Sequence, residues 1–327
     1  MVEYKTISII IPSYNRQEVL IECLAGYKKQ TFSARDFEVV IVDDGSAEPI
    51  AGKMKLEEYD FNIRILRQEH AGPAAARNLA IRQVTNDILL FAGDDIIPAA
   101  DFLEKHMKAH ARYLQDNMAV LGNISWPEGM AVNALMHYVT ENGGQQFSLS
   151  GLQDQQIVGY QYFYTSNISL KRRYLLKTAE FFSPLFTKAC FEDIELGYRL
   201  CKKHGLKILF DKTINVFHRH PMSLGSFYKR QFNVGQMAVV LDRLHPEFFA
   251  KEKKSSLKAG FPVHENIPPS FLDYYRSMQA FQKALGTTQE ARRLFKKMEQ
   301  HFFMEVLSFA FRGGASYFNQ KNPHDPQ

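Results

Sequence analysis

The stretch FEVVIVDDGS, residues 37–46, decides the fold. Phe37 to Val42 is a short, mostly β-branched run of the kind that forms a strand buried on both faces, and Asp43-Asp44-Gly45-Ser46 is turn chemistry. The run ISIIIP (7–12) has the same form. Between the two, RQEVLIECLAGYKKQ (16–30) places Leu20, Cys23, Leu24 and Tyr27 on one helical stripe. Further on, FNIRILRQ (61–68) reads as a third strand, PAAARNLAIRQV (73–84) as a helix opened by Pro73, and DILLFAGDD (87–95) as a fourth strand. Strands alternating with helices make a parallel sheet with right-handed crossovers, and such sheets bind ligands at the carboxyl ends of their strands. Those ends carry Tyr14 and Asn15, then Asp43 and Asp44, then Asp94 and Asp95.

From about residue 118 the pattern becomes mixed. Strands are predicted within MAVLGNISW (118–126) and YQYFYTSNISL (160–170), and LKILFDKTINVFHRH (206–220) reads as two more short strands. The helix EDIELGYRLCKKHG (192–205) should stop at Gly205. Beyond SFYKRQFNVGQMAVVLDRL (226–244), the lysine-rich KEKKSSLK and the loop FPVHENIPP mark a linker, and residues 270–312 read as helical. There Thr287 and Glu290 form a capping-box signal, and Phe295, Met298, Phe302, Val306 and Phe309 make one stripe.

The chain has 327 residues, 45% hydrophobic and 23% charged, the proportions of a soluble globular protein with a large core. A spread net charge of +5 gives no nucleic-acid signal. Cys23, Cys190 and Cys201 are odd in number and far apart, so neither a disulfide framework nor a zinc site is expected. The first strand begins too early to leave room for a signal peptide, and no apolar stretch approaches a membrane span. A cytoplasmic location is expected. Arg292, Arg293, Lys296 and Lys297 precede Phe302, Phe303, Phe309 and Phe311. The C-terminal helices are expected to pack on the rest of the chain, form a homodimer, or lie peripherally on an anionic membrane face.

Nucleotide motifs are tested against the sheet. No G-x-G-x-x-G follows the first strand, no H-E-x-x-H appears, and GSAEPIAGK (45–53) puts six residues between glycines where a P-loop needs four. Adjacent Asp94 and Asp95 are either solvated carboxylates capping a helix or a sparse site where Mg²⁺ or Mn²⁺ bridges a carboxylate and a phosphate. Asp44 either closes a turn or accepts the imide N–H of a pyrimidine. Arg77 is a helix-surface charge or a diphosphate cation. Glu192 and Asp193 either complement a helix dipole or supply a general base. His218 and His220 lie on the same face of a strand, where one imidazole beside two carboxylates completes a metal site.

Taken in order, SIIIPSYNR, VVIVDDGS, GPAAARN, LLFAGDD and FEDIELGYRL resemble the family 2 glycosyltransferases of GT-A fold, over roughly residues 6–240. The resemblance implies an α/β fold, a Rossmann-like, mostly parallel sheet flanked by helices. It implies a glycosyltransferase domain over 1–225, with a nucleotide-sugar part about 1–98 and an acceptor part about 99–225, and a helical extension over 226–327. It implies a nucleotide-sugar donor, most simply a UDP-sugar, a divalent metal (Mn²⁺ or Mg²⁺), and transfer with inversion to a glycan, lipid-linked or protein acceptor. Carried over, Pro12 and Tyr14 line the base, Asp44 binds its imide edge, and Arg77 lies near the diphosphate. Asp94 meets the ribose or sugar, Asp95 and His218 hold metal with His220 as fallback, and Asp193 is the acceptor base with Glu192 beside it. The chain departs from the family's D-x-D-D at Ala92, and FFSPLF (181–186) departs from the usual pattern before the base. Two other readings stand beside this one, a sugar-nucleotide nucleotidyltransferase and a catalytically inactive glycosyltransferase-like scaffold.

Overall fold

The structure is a computed structural model that describes residues 4–142, 146–249, 255–285 and 288–322. In chain order the first elements are β1 (Ile7–Ser13), α1 (Gln17–Tyr27), β2 (Phe37–Asp43), β3 (Asn62–Arg67), α2 (Pro73–Gln83), β4 (Ile88–Phe91) and β5 (Ile96–Pro98). Next come α3 (Phe102–Arg112), β6 (Met118–Ser125), α4 (Ala134–His137), β7 (Gln156–Val158), β8 (Ile168–Lys171), α5 (Arg172–Thr178) and α6 (Glu192–His204). The last are β9 (Lys207–His218), α7 (Leu224–Leu244), α8 (Pro269–Leu285) and α9 (Gln289–Lys321). They fall into two compact units, Met1–Met130 with Leu149–His220, and Ala131–Ser148 with Pro221–Gln327. The boundary read from the sequence, 225/226, differs from this division, which places residues 131–148 with the C-terminal helices.

In the first unit the described strands form one sheet in the order β3-β2-β1-β4-β8-β6-β9-β5, with β7 paired to β9. The stretch 37–43 is β2, buried at every position, with β1 and β3 parallel on either side. Parallel pairing continues from β1 to β4, whose four residues are also all buried. Continuous apolar runs of this kind have no solvent face to alternate toward, which is why they occupy the centre of a covered sheet. The stripe Leu20, Cys23, Leu24 and Tyr27 of α1 is buried, as its spacing requires.

Past β4 the sheet becomes mixed. β8 is antiparallel to β4 and β6, whereas β6 and β9 are parallel. Two expectations are corrected here. Within 206–220 there is one twelve-residue strand, Lys207–His218, not two: the expected break is a register step, from Gly122↔Asp211 to Asn123↔Asn215. Within 160–170 only the end is strand, because Tyr160–Tyr162 is a 3₁₀ turn and Asn167 turns back on Tyr164. The Asn167 side chain donates to the carbonyls of Asn123 and Ile214, two long-range bonds that hold this turn against the neighbouring strands.

Asn167 also ends a buried chain of hydrogen bonds. His106 and His110, one turn apart on α3, are both fully buried. His110 Nε2 donates to Ser169 Oγ at 2.8 Å, Ser169 Oγ donates to His106 Nδ1 at 2.8 Å, and His106 Nε2 donates to Asn167 Oδ1 at 3.0 Å. With Asn167 Oδ1 an obligate acceptor, this sense of donation needs a neutral His106, whose Nδ1 accepts, and is also met by a neutral His110. Burial accordingly pushes His106 down to about 4, and His110 well below the usual histidine value.

In the second unit α7 crosses α9 at Gly235 and Gly314. A side chain at either would meet backbone, Phe311 O at 1.9 Å from Gly235 and Phe232 O at 1.8 Å from Gly314. Phe295, Phe302, Phe303 and Val306 are buried along α9, whose N-cap is Thr288, accepting from Ala291 N at 3.2 Å. Thr287, the cap expected from sequence, lies outside the described residues. Arg292, Arg293, Lys296 and Lys297 are exposed, but Phe302 packs on Tyr275 and Phe303 on Tyr138. Those two rings therefore give no membrane-facing surface. No helix among the described residues is long and apolar enough to cross a membrane.

The histidine chain fixes a pH dependence. Because the folded pKa of His106 lies below its unfolded value, its contribution is intact above about pH 6.5 and is lost as pH falls toward about 4. Urea unfolding at pH 7.5 and 5.0 should differ by about 2 kcal/mol from this residue alone. His106→Gln should be less stable at pH 7.5 yet show a smaller difference between the two conditions. An unchanged difference would contradict the neutral, donor-ordered chain.

Candidate active site

β1 and β4 are parallel neighbours, so the segments leaving their carboxyl ends meet. Asp94 and Asp95 follow β4, and Ser13 ends β1 with Arg16 just before α1. Ser13 Oγ donates to Asp94 Oδ2 at 2.8 Å. The Arg16 guanidinium spans the acid pair, 2.9 Å from Asp94 Oδ1 and 3.0 Å from Asp95 Oδ2. From the other side β9 ends at His218, whose Nε2 lies 3.3 Å from the same Asp95 Oδ2, and His220 Nδ1 lies 3.3 Å from it as well. β5, the edge strand after the acids, holds this geometry: Ile96 pairs with His218, and Arg219 N donates to Asp95 O at 2.7 Å. The two imidazoles stack at 5.3 Å, and Trp126, the chain's one tryptophan, stacks on His218 at 5.3 Å.

One carboxylate and two imidazoles, with ligand atoms within 4.8 Å of one another, form a fitting cation site. Both histidines join Asp95, so the expected pair of Asp95 and His218 is enlarged by the fallback residue. Mixed oxygen and imidazole donors fit Mn²⁺ better than Mg²⁺, which favours oxygen ligands and water. Electrostatics separate the two acids. Burial pushes Asp94 up to about 6 against the pull of Arg16. Burial acts on Asp95 in the same sense, but the imidazoles and Arg16 outweigh it and hold Asp95 well below the usual carboxylate range.

Asp43 and Asp44, at the end of β2, do different work. Asp43 turns inward, accepting from Ser46 N at 2.9 Å and Ile50 N at 3.1 Å and pairing with Arg67. Asp44 holds the loop before α2. Its Oδ1 accepts from Gln68 Nε2 at 2.7 Å and Ala71 N at 3.0 Å, and its Oδ2 from Gly72 N at 2.9 Å, with His70 Nδ1 also at 2.9 Å. Those three hydrogen bonds fill three of a carboxylate's roughly four lone-pair positions, and His70 Nδ1, which bonds the Asp44 main-chain O at 3.1 Å, crowds the fourth. Gly72 sits at φ 89°, where a Cβ would be strained and would meet Thr187 O at 2.8 Å. Tyr14 stacks on His70 at 4.0 Å and is 42% exposed, while Pro12 sits within β1, opposite Val42.

Arg77 is not an open phosphate ligand. Its Nη1 donates to Glu192 Oε1 at 2.9 Å, both side chains are under 10% exposed, and its guanidinium lies 5.4 Å from the Phe182 ring. Glu192 Oε2 is buried with no hydrogen-bond partner. Burial first, and the charge of Asp193 second, push Glu192 up to about 7 despite Arg77. Asp193 is also raised, by burial. Its Oδ1 accepts from Ile194 N at 2.8 Å, but its Oδ2 has only long contacts to Thr165, at 3.4 and 3.5 Å. Phe191, a non-glycine residue at φ 66°, precedes the pair and sets its direction at the start of α6.

Residues 8–169 match the family model described as Glycosyl transferase family 2. Through those residues the chain belongs to glycosyl transferase family 2. It is 27% identical over 276 residues to the uncharacterized glycosyltransferase YfnE of Bacillus subtilis, covering 70% of this chain and 69% of that protein. It is 24% identical over 279 residues to the chondroitin synthase of Escherichia coli, covering 76% of this chain but only 40% of the synthase. Among solved structures, the mannosyltransferase PcManGT of Pyrobaculum calidifontis, in complex with GDP-Man and Mn²⁺, aligns with TM-score 0.56 at 18% identity, covering 99% of this chain and 88% of that one. Residues 1–349 of S. aureus TarS in complex with UDP align with TM-score 0.52 at 17% identity, covering 97% and 92%. These likenesses share the GT-A fold.

In this family 2 chain Ala92 is fully buried, and its N–H bonds Ile10 O within the sheet. Its side chain is core, and the candidate cation site is drawn from Asp95 with the histidine that ends β9 and the one two residues beyond. Arg16 and Trp126 were not singled out by sequence reasoning. Arg16 was legible in principle, since a cation leaving β1 must face the acids leaving its parallel neighbour; Trp126 carried no local signal. As a test of the loop anchor, Asp44→Asn replaces a filled acceptor with an amide whose NH₂ faces N–H donors. Urea unfolding without nucleotide should show a loss of about 1–3 kcal/mol. Unchanged stability would mean that Asp44 does not anchor residues 68–72.

Proposed function

We propose that the chain is an inverting, metal-dependent glycosyltransferase that moves a sugar from a nucleotide-diphosphate sugar, a UDP-sugar in the first instance, to a hydroxyl acceptor in the cytosol. The acceptor is a glycan, a lipid-linked saccharide or a protein. The observation that carries the reading is the convergence of Asp95, His218 and His220 at the carboxyl edge of a family 2 sheet. The UDP bound by TarS, and the GDP-Man and Mn²⁺ bound by the mannosyltransferase, support it.

Asp95, His218 and His220 would hold the metal, with Asp94 directed to the ribose or the sugar. When bound, a divalent cation supplies charge neutralisation for the leaving diphosphate. The Tyr14 ring offers a face to the base, beside Pro12. Asp44 meets a pyrimidine imide by exchanging one of its side-chain donors, Gln68 or His70, for the imide N–H; adenine has no such donor. Arg77 acts one step removed, keeping Glu192 in place behind Asp193.

Asp193 is the general base. An acceptor hydroxyl is a poor nucleophile at neutral pH, and inversion requires the base to lie across the sugar from the diphosphate. The long contacts at Asp193 Oδ2 leave that oxygen the better acceptor of the pair.

Release of nucleoside diphosphate from a panel of UDP- and GDP-sugars, with Mn²⁺ and water as acceptor, tests the activity. One donor should turn over, and Asp193→Asn should lower that turnover by about 10²- to 10⁴-fold with nucleotide binding little changed. No release from any donor would favour the inactive scaffold. Release untouched by Asp193→Asn would move the base to Glu192.

A further inference from the structure

Arg16 occupies the centre of the candidate cation site. Its Nη2 donates to Asp95 Oδ2 at 3.0 Å and approaches His220 Nδ1 at 3.2 Å, while its Nη1 reaches Asp94 Oδ1 at 2.9 Å. His220 Nδ1 and Asp95 Oδ2 are 3.3 Å apart. With Arg16 donating to both, their lone pairs point at one guanidinium nitrogen. Those lone pairs are the ones a divalent cation would use. A metal ion within bonding distance of both atoms and the Arg16 Nη2 cannot share that space, and their like charges repel.

We propose that Arg16 is a built-in counter-cation that competes with the metal for Asp95 and His220, and that it turns to the donor's diphosphate when metal and nucleotide enter together. The proposal rests on the metal-dependent reading above and adds to it a residue and an order of events. Three features fit this role. The Arg16 side chain is 34% exposed, whereas those of Asp94 and Asp95 are 8% and 13% exposed, so the arginine moves more readily than either acid. Ser13 Oγ holds the other oxygen of Asp94, which keeps that acid in place when Arg16 leaves. Arg77, the guanidinium expected at the diphosphate, is tied to Glu192. Arg16 stands at the sheet edge where nucleotides bind, and its planar fork matches phosphate oxygens.

The consequence is linkage. A site occupied by an internal cation binds metal with an affinity reduced by the fraction of time the site is open. A diphosphate that draws Arg16 away removes that reduction, so UDP and Mn²⁺ should each strengthen the binding of the other by the same factor.

Mn²⁺ binding is measured directly, by electron paramagnetic resonance of free Mn²⁺ and by quenching of Trp126, whose ring lies 5.3 Å from that of His218. Titrations are run with and without UDP on the wild type, Arg16→Gln and Arg16→Lys, each checked for folding by circular dichroism. The wild type should bind Mn²⁺ weakly alone and more tightly with UDP. Arg16→Gln should bind Mn²⁺ alone about tenfold or more tighter than the wild type, and should gain much less from UDP. Arg16→Lys, a point charge that cannot span both acids, should fall between them. Folded Arg16→Gln with wild-type or weaker Mn²⁺ affinity, and an undiminished gain from UDP, would overturn the proposal and leave the metal site standing. Absence of Mn²⁺ binding by all three proteins, even with UDP, would overturn the metal site itself.

Discussion

Two adjacent carboxylates at the end of a fully buried strand cannot both stay ionised without a cation between them. Asp94 and Asp95 impose that constraint, and the surrounding elements answer it. Ser13 comes from the end of β1, Arg16 from the turn into α1, and His218 and His220 from the far end of β9. β5 is only three residues long, yet its pairing to β9 brings the histidines to the acids. The parallel half of the sheet presents the acids with Ser13 and Arg16, and the mixed half presents the two histidines.

The first half was legible because its strands are buried on both faces. Runs such as 7–12 and 37–42 have no other stable reading, and strand-helix alternation then fixes which ends carry ligands. Gly205 likewise marked the end of α6, where it adopts the left-handed conformation. What was not legible is long-range. The two-strand reading of 206–220 failed because the extra residues between Asp211 and Asn215 interrupt the ladder with β6 without ending the strand, and that pairing is set by a distant strand. The strand expected over 160–170 gave way to side-chain hydrogen bonds from Asn167, whose partners are 44 and 47 residues distant.

The same distinction holds in the site. The types of residue named from motifs were informative about chemistry but not about pairing. Asp44 and Arg77 are tied to protein partners, the loop 68–72 and Glu192, so one shapes the donor edge by holding backbone and the other holds a carboxylate. The chemistry then rests on fewer groups than the motif count implies. The candidate cation site is formed by Asp95 and two histidines, and the proposed acceptor side by Asp193 with Glu192 beside it.

Under the proposed function, the acid edge after β4 receives the metal and diphosphate of a nucleotide sugar. Crystals grown with Mn²⁺ and UDP, with anomalous diffraction recorded at the manganese edge, test it most directly. The account predicts a single strong peak within coordination distance of Asp95, His218 and His220, with the diphosphate completing the metal's ligands. A peak elsewhere, or UDP bound away from the ends of β1, β2 and β4, would contradict it.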